Sequence, residues 1–453
     1  MTVAVFDAPG YAQRPRTRSE LMPRAVVPFL LTLALAPELR AADWPTFLGP
    51  MRDGVSAEKG IIAPWPAKGL KVVWECELGV GFAPPVTAGG KLFHADRFGD
   101  NIRLTARDAA TGKFLWKYEY PTEYEDRYGY DPGPRACPVV DGDRVYLYGP
   151  EGVLVCLNTA TGKEVWKVET REKYFFHQNF FGCGSVPVVE GDLLILPVGG
   201  SVKNIRPADF RQVKPNGTAL VAFDKKTGEV KYAAGDELAS YASPTVATIN
   251  GKKTGLYFAR GGLLGFDPQT GKTLFHHPWR AKIMESVNAS NPVVVGDKVL
   301  LTECYGAGSV LLDLKGGKPK EVWSDSDKDA GDQSLMCHWN TPIHVAGYVY
   351  GSSGRHTEDS DIRCIDLTTG DVKWRQKRTK RCSLTLADGH FISLSEYGEL
   401  ALLKVNPAKY DEVSKYDTGL EYPCWAAPVL SNGLLYIRGK GKLQALELTP
   451  AKK

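Results

Sequence analysis

Short runs in which apolar and polar residues alternate recur along almost the whole chain, and in a fixed order. A proline-led phrase opens each unit: Pro85-Val86, Pro138-Val139-Val140, Pro187-Val188-Val189, Pro244-Thr245-Val246, Pro292-Val293-Val294, Pro342-Ile343 and Pro428-Val429. A polar turn such as Asp141-Gly142-Asp143 follows, then an alternating run such as Arg144-Val145-Tyr146-Leu147-Tyr148. After a glycine-containing turn comes a third run, Val153-Leu154-Val155-Cys156-Leu157. Period-two runs of this length, punctuated by Asp, Asn and Gly, predict antiparallel strands in a meander. No stretch sustains a helical period.

The third run ends in a phrase that the chain repeats. Asp108-Ala109-Ala110-Thr111-Gly112-Lys113-Phe114-Leu115-Trp116 returns as Asn158-Thr159-Ala160-Thr161-Gly162-Lys163-Glu164-Val165-Trp166, and again around Thr227-Gly228, Thr270-Gly271 and Thr369-Gly370. The Asp or Asn can bond the turn backbone, and glycine takes the positive φ that the turn demands. The fourth strand then carries one large aromatic at a set offset: Trp116, Trp166, Tyr232, Phe275, Trp323 or Trp374. Such an aromatic suits the docking of one sheet onto the next.

Four-stranded repeats stacked radially form a propeller. Six units open at positions 85 to 342, a weaker one opens near Cys382-Ser383-Leu384-Thr385, and the last opens at Pro428. That last unit ends without its Thr-Gly phrase. Lys71-Val72-Val73-Trp74-Glu75-Cys76 precedes the first unit with no strands of its own, so it is expected to complete the final blade and close the ring. The expectation is an all-β, eight-bladed propeller over residues 70–449, with Trp74 as the docking aromatic of the closing blade.

Composition changes this picture little. Net charge is +4, and residues 1–41 hold five Arg against three acidic residues, leaving a nearly neutral body. A neutral body excludes a nucleic-acid binder, which needs a basic face; the basic cluster Lys373–Arg381 is read as a solvated turn. Residues 25–36 form an apolar run of signal-peptide length, too short to span a bilayer. Residues 22–42 are therefore expected to be an export signal starting at Met22, with 1–21 a non-native or disordered extension and 43–69 a lead-in segment. No later segment reads as transmembrane, and the protein is expected to be periplasmic or secreted. Nine cysteines form no CxxC or adjacent pair, so they are read as small buried packers rather than zinc or redox sites.

The phrase Asp108-x-x-Thr111-Gly112-Lys113-x-x-Trp116 resembles the tryptophan-docking motif of the pyrroloquinoline-quinone (PQQ) dehydrogenase repeat, also found in the assembly lipoprotein BamB. The opening Asp43-Trp44-Pro45-Thr46-Phe47-Leu48-Gly49-Pro50 is similar to the segment preceding exported PQQ-like propellers of planctomycete type. The resemblance implies either a non-catalytic binding scaffold or, as the alternative, a PQQ-dependent alcohol or sugar dehydrogenase using calcium. Adjacent cysteines, a haem-attachment CxxCH and long calcium-bearing insertions, typical of the dehydrogenases, are missing. So is a cysteine at the cleavage site for a lipid anchor. The scaffold is therefore the expectation, with no cofactor and no metal assigned.

In a meander, the connection leaving strand four and the loop between strands two and three share one face. The long segments, among them 118–136, 276–290, 324–340 and 416–426, all fall on that face, whereas the opposite turns are minimal. A ligand or partner is expected there, near the channel mouth. Arg135, His338, Trp339, Asn340, Arg381 and Trp425 precede the inward strands and are the candidate binding residues. Arg135, His338 and Arg381 suggest a cationic pocket for a small anion, and the two Trp suggest stacking. A protein or a glycan is the other expected partner. No catalytic residue is assigned. Asp325-Ser326-Asp327-Lys328-Asp329 lacks the glycine and closing Glu of a calcium loop and is read as a solvated loop. The aromatic run Tyr174–Phe181 is read as packing, and Arg355–Asp361 as a plain loop.

Overall fold

The computed structural model describes residues 43–176, 180–203 and 212–450, so the expected extension and export signal lie outside the described residues. Eight four-stranded antiparallel sheets follow one another in chain order. They are blade 1 (86–121), blade 2 (139–169), blade 3 (188–234), blade 4 (245–278), blade 5 (293–324), blade 6 (343–377), blade 7 (382–417) and blade 8 (429–447). The strand Val72–Glu77 pairs antiparallel with Lys442–Glu447 and completes blade 8, as expected from Trp74. Among the described residues, the five-residue helix Thr170–Tyr174 is the only α-helix.

Every blade carries a register shift between its third and fourth strands, and the docking position sits beside it. Ala106 faces Trp116, Cys156 faces Trp166, Ala222 faces Tyr232 and Cys364 faces Trp374. The indole N–H then reaches the next blade: Trp74 donates to Ala109 O at 2.9 Å, Trp116 to Thr159 O at 3.1 Å and Trp323 to Leu367 O at 2.9 Å. The ring lies flat on the Thr-Gly turn. At Gly162, with φ +68°, an added Cβ would stand 2.5 Å from Trp116, so the turn must be glycine for both conformation and space. Asp108 and Asn158 hold the turns by accepting backbone N–H bonds from Thr111 and Thr161 at 2.9 and 3.0 Å.

Blade 7 breaks the rule. Its docking position, opposite Leu402 beside the shift, is Ser414. Ser414 Oγ accepts the Trp65 backbone N–H at 2.8 Å, and the buried Trp65 ring packs edge-on against Tyr416 at 5.7 Å. The lead-in segment thus brings an aromatic to the one seam whose strand does not supply its own. Ile61 and Leu70 join the same apolar cluster beside Leu430 and Leu448.

Earlier in the lead-in, residues 43–58 cross the channel and stitch the blades together. Trp44 forms a bridge with Thr87 of blade 1, and Pro45 O accepts from Val140 N–H of blade 2. Arg52 donates to Pro187 O at 2.6 Å and Pro244 O at 3.1 Å, at the entrances of blades 3 and 4. Ser56 pairs with Leu386 of blade 7, and the Glu58 carboxylate accepts Gly433 N–H of blade 8. Burial pulls the Arg52 guanidinium down to about 10, which leaves it charged at neutral pH. The segment closes the channel from one side.

Candidate functional site

Above that closure, the inter-blade connections enclose a cavity of about 720 Å3, floored by Phe47 and Leu48. One repeat position builds it. Three residues before the opening proline of each blade (Leu384 holds that place in blade 7) the chain has Phe82, Arg135, Gly184, Tyr241, Ala289, Trp339, Arg381 and Trp425, and all eight line the cavity. Each first strand starts at the mouth and runs inward, so this offset aims one side chain per blade at the channel axis.

The eight positions are not equivalent. Trp339, Arg381, Trp425, Phe82 and Arg135 come from consecutive blades around the closed ring and stack edge to edge. Arg381 lies 4.5 Å from the Trp339 ring centroid and 5.8 Å from that of Trp425. Trp425 meets Phe82 at 4.6 Å, and Arg135 lies 5.3 Å from the Phe82 ring. Cation–π and aromatic contacts of this kind each contribute about 0.5–1.5 kcal/mol. The facing arc, Gly184, Tyr241 and Ala289, is mostly small and leaves the space.

All six residues expected from the sequence line this cavity. They do not add up to a cationic pocket. Arg381 chelates Glu396, with Nη2 to Oε2 at 2.6 Å and Nε to both oxygens at 3.1 Å. Glu396 also accepts from Thr357 Oγ1 at 2.8 Å and Trp425 Nε1 at 3.3 Å. Burial raises the Glu396 pKa, but these hydrogen bonds and the Arg381 charge outweigh it and hold the carboxylate below its usual range. Arg135 is paired with the buried Asp126 at 2.9 Å. His338 shares a 3.1 Å hydrogen bond with Tyr305 OH, and burial, reinforced by Arg381 and Arg355, pulls its pKa down to about 3. It is neutral at physiological pH. The Asn340 amide is engaged within the wall, donating to Ser352 O at 2.9 Å.

Sequence reasoning missed Phe82, Tyr241, Glu396 and Arg355. The first two sit at the same offset as Arg135 and Trp425, so counting back from each proline would have found them. Glu396 follows an alternating apolar strand where no turn calls for an acid, which is a weaker signal. The loop Arg355–Asp361, read as plain, supplies Thr357 to Glu396 and places Arg355 over the Tyr305 ring at 4.5 Å. Arg381 belongs to the cluster read as a solvated turn, yet it faces the cavity. Asp325 is likewise not solvated: it is buried and accepts backbone N–H bonds from Ser309 and Ser334 at 2.6 and 2.5 Å. Of the aromatic run, Phe180 and Phe181 line the cavity, while residues 177–179 lie outside the described residues.

All nine cysteines are free, and burial pushes the thiols of Cys137, Cys183 and Cys337 up to about 12, well out of the reactive range. The PQQ–calcium pair implied by the resemblance needs a cation site of six to eight oxygens. Glu396 already accepts bonds on both oxygens, and no group of three or more His, Cys, Asp or Glu stands together among the described residues. The donor set does not fit a calcium-bridged quinone, although the aromatic wall suits a flat ring.

A family model described as outer membrane protein assembly factor BamB matches residues 58–209 and 125–376. The chain is 23% identical over 306 residues to the quinoprotein ethanol dehydrogenase of Pseudomonas aeruginosa, covering 65% of this chain and 40% of that protein. It is 27% identical over 170 residues to the dehydrogenase subunit of the quinone alcohol dehydrogenase of Gluconobacter oxydans, covering 36% of this chain and 20% of that one. The chain therefore spans well under half the length of these relatives. Among solved structures, BamB from Moraxella catarrhalis matches with a TM-score of 0.57 at 15% identity, over 85% of this chain and 99% of that one. A europium-containing methanol dehydrogenase matches with a TM-score of 0.64 at 12% identity, over 88% and 90%. At these identities the likeness establishes the shared propeller fold.

Proposed function

The chain belongs to the family of outer membrane protein assembly factor BamB, and from that premise we propose that it is an exported, non-catalytic propeller that binds a ligand or protein segment in its channel-mouth cup. One observation carries the reading. The two arginines that the repeat offset aims at the channel are each engaged with a carboxylate: Arg381 with Glu396 and Arg135 with Asp126. A general acid or base needs a proton-active group within reach of substrate and tuned near neutral pH. Here the buried carboxylate is held ionised and capped, and the histidine is held neutral. The channel-facing positions then offer shape and aromatic surface, which are binding features, with the exposed Glu285, Arg355 and His356 beside them.

The second reading, a PQQ-dependent oxidoreductase, is favoured by the dehydrogenase relatives. The experiment that separates the two adds PQQ and calcium to the purified protein and follows the quinone absorption band and dye-linked oxidation of alcohols and sugars. The binding reading expects neither a stoichiometric quinone complex nor turnover. A tight complex with turnover overturns it.

A further inference from the structure

We propose that the cup takes a neutral polyhydroxylated ligand, the end of a glycan chain, by stacking sugar faces on its aromatic wall. The inference rests on reading the cup as a binding site and adds the ligand class.

Two of the three arginines lining the cavity are committed to carboxylates, and the third, the exposed Arg355, lies over the Tyr305 ring. To meet a carboxylate or phosphate, Arg381 must leave Glu396, whose side chain is fully buried and held by a bidentate contact of 2.6 Å. That exchange strands a buried carboxylate, which is strongly unfavourable. Arg135 faces the same obstacle with Asp126, whose side chain is 1% exposed. A neutral ligand leaves both pairs in place and gains from them, since the outward edges of planar ion pairs suit hydroxyl groups.

The wall itself suits sugars. Trp339 and Trp425 lie 5.1 Å apart at 42°, too close for a flat ring to enter between them, so they form a continuous shelf rather than a slot. The C–H face of a pyranose can lie on such a shelf. Tyr130, Tyr128 and Tyr422 stand 61%, 52% and 43% exposed around the cavity, extending the aromatic surface outward to the rim. Phenols of this kind pair an apolar face with a polar tip. The floor is closed, so the cup receives a chain end, and its volume of about 720 Å3 lies within the small-ligand range of roughly 300–1,000 Å3.

The test titrates the full protein with cellohexaose, xylohexaose, maltohexaose and chitohexaose, and with oligogalacturonate as the acidic control, by tryptophan fluorescence and calorimetry. At least one neutral hexasaccharide should bind with one-to-one stoichiometry. Trp425→Ala should weaken it about tenfold, equal to about 1.4 kcal/mol. Tyr130→Ala, at a position 61% exposed, should weaken it about threefold with unchanged melting, and Phe114→Ser on the outermost strand of blade 1 should leave it intact. No binding of any neutral hexasaccharide at about 10 mM, a millimolar limit that corresponds to only a few kcal/mol, overturns the glycan inference, as does selective binding of oligogalacturonate. Capture of an extended peptide that depends on Tyr130 overturns it too, yet leaves the binding-scaffold reading standing. Quinone turnover with PQQ and calcium is the outcome that removes that reading as well.

Discussion

The seams between blades and the mouth of the channel are made by the same repeat, yet they use it in opposite ways. At the seams one chemical solution recurs: an aromatic beside a register shift, its N–H on the next blade's carbonyl, its face on a Thr-Gly turn. At the mouth the repeat fixes only where a side chain points. The residue there changes from blade to blade, through Phe82, Arg135, Gly184 and Tyr241 to Trp425. Repetition at the seams makes the ring; variation at one offset makes an asymmetric cup within it.

The sharpest way to break this division is at a seam. Trp116→Ala removes a ring 8% exposed together with its hydrogen bond to Thr159 O. It should cost about 3–5 kcal/mol, read as a lowered denaturant midpoint, without changing ligand binding in any folded fraction. Next in size is Arg381→Ala at the mouth, which leaves Glu396 buried without its cation and should cost about 3 kcal/mol. Arg381→Met combined with Glu396→Leu should recover most of that loss. Recovery shows that the pair is a matched buried unit rather than a free cation awaiting an anion.

The most gradual effect concerns pH. His338 titrates near 6.5 in the unfolded chain and at about 3 in the folded one. Its contribution to stability is complete above pH 6.5 and is lost as pH falls toward 3, because the unfolded state binds the proton first. His338→Gln should flatten that decline by up to about 1.4 kcal/mol per pH unit. The wild-type slope that His94 produces, its pKa likewise pulled down to about 3, should persist.

How much of this was legible follows the same division. The seams were readable because identical physics selected identical residues, and even the closing strand around Trp74 could be placed from a missing phrase. Four of the eight mouth positions, Arg135, Trp339, Arg381 and Trp425, stood out by their chemistry. Gly184 and Ala289 did not, since their role is to leave room. Glu396 was invisible because its importance comes from Arg381, which it meets only once strands 382–387 and 390–395 pair in register. The lead-in from Asp43 to Leu70 has no period at all. Its contacts with Thr87, Pro187, Leu386 and Ser414 exist only once the ring is assembled.

The closing strand also sets a timetable. Lys442 meets Glu75 across a sequence separation of 367 positions. Loop closure grows only logarithmically, with each doubling of length adding about 0.6 kcal/mol, so the long span is thermodynamically cheap. Kinetically it is demanding, because contacts so distant in sequence form late. Blades 1 to 7 hold all four strands locally and can assemble as the chain emerges, whereas blade 8 and the Trp74 seam must wait for the last residues to be made. Until then the strand Val72–Glu77 lacks its partner, and the molecule stays an open arc vulnerable to edge-to-edge association.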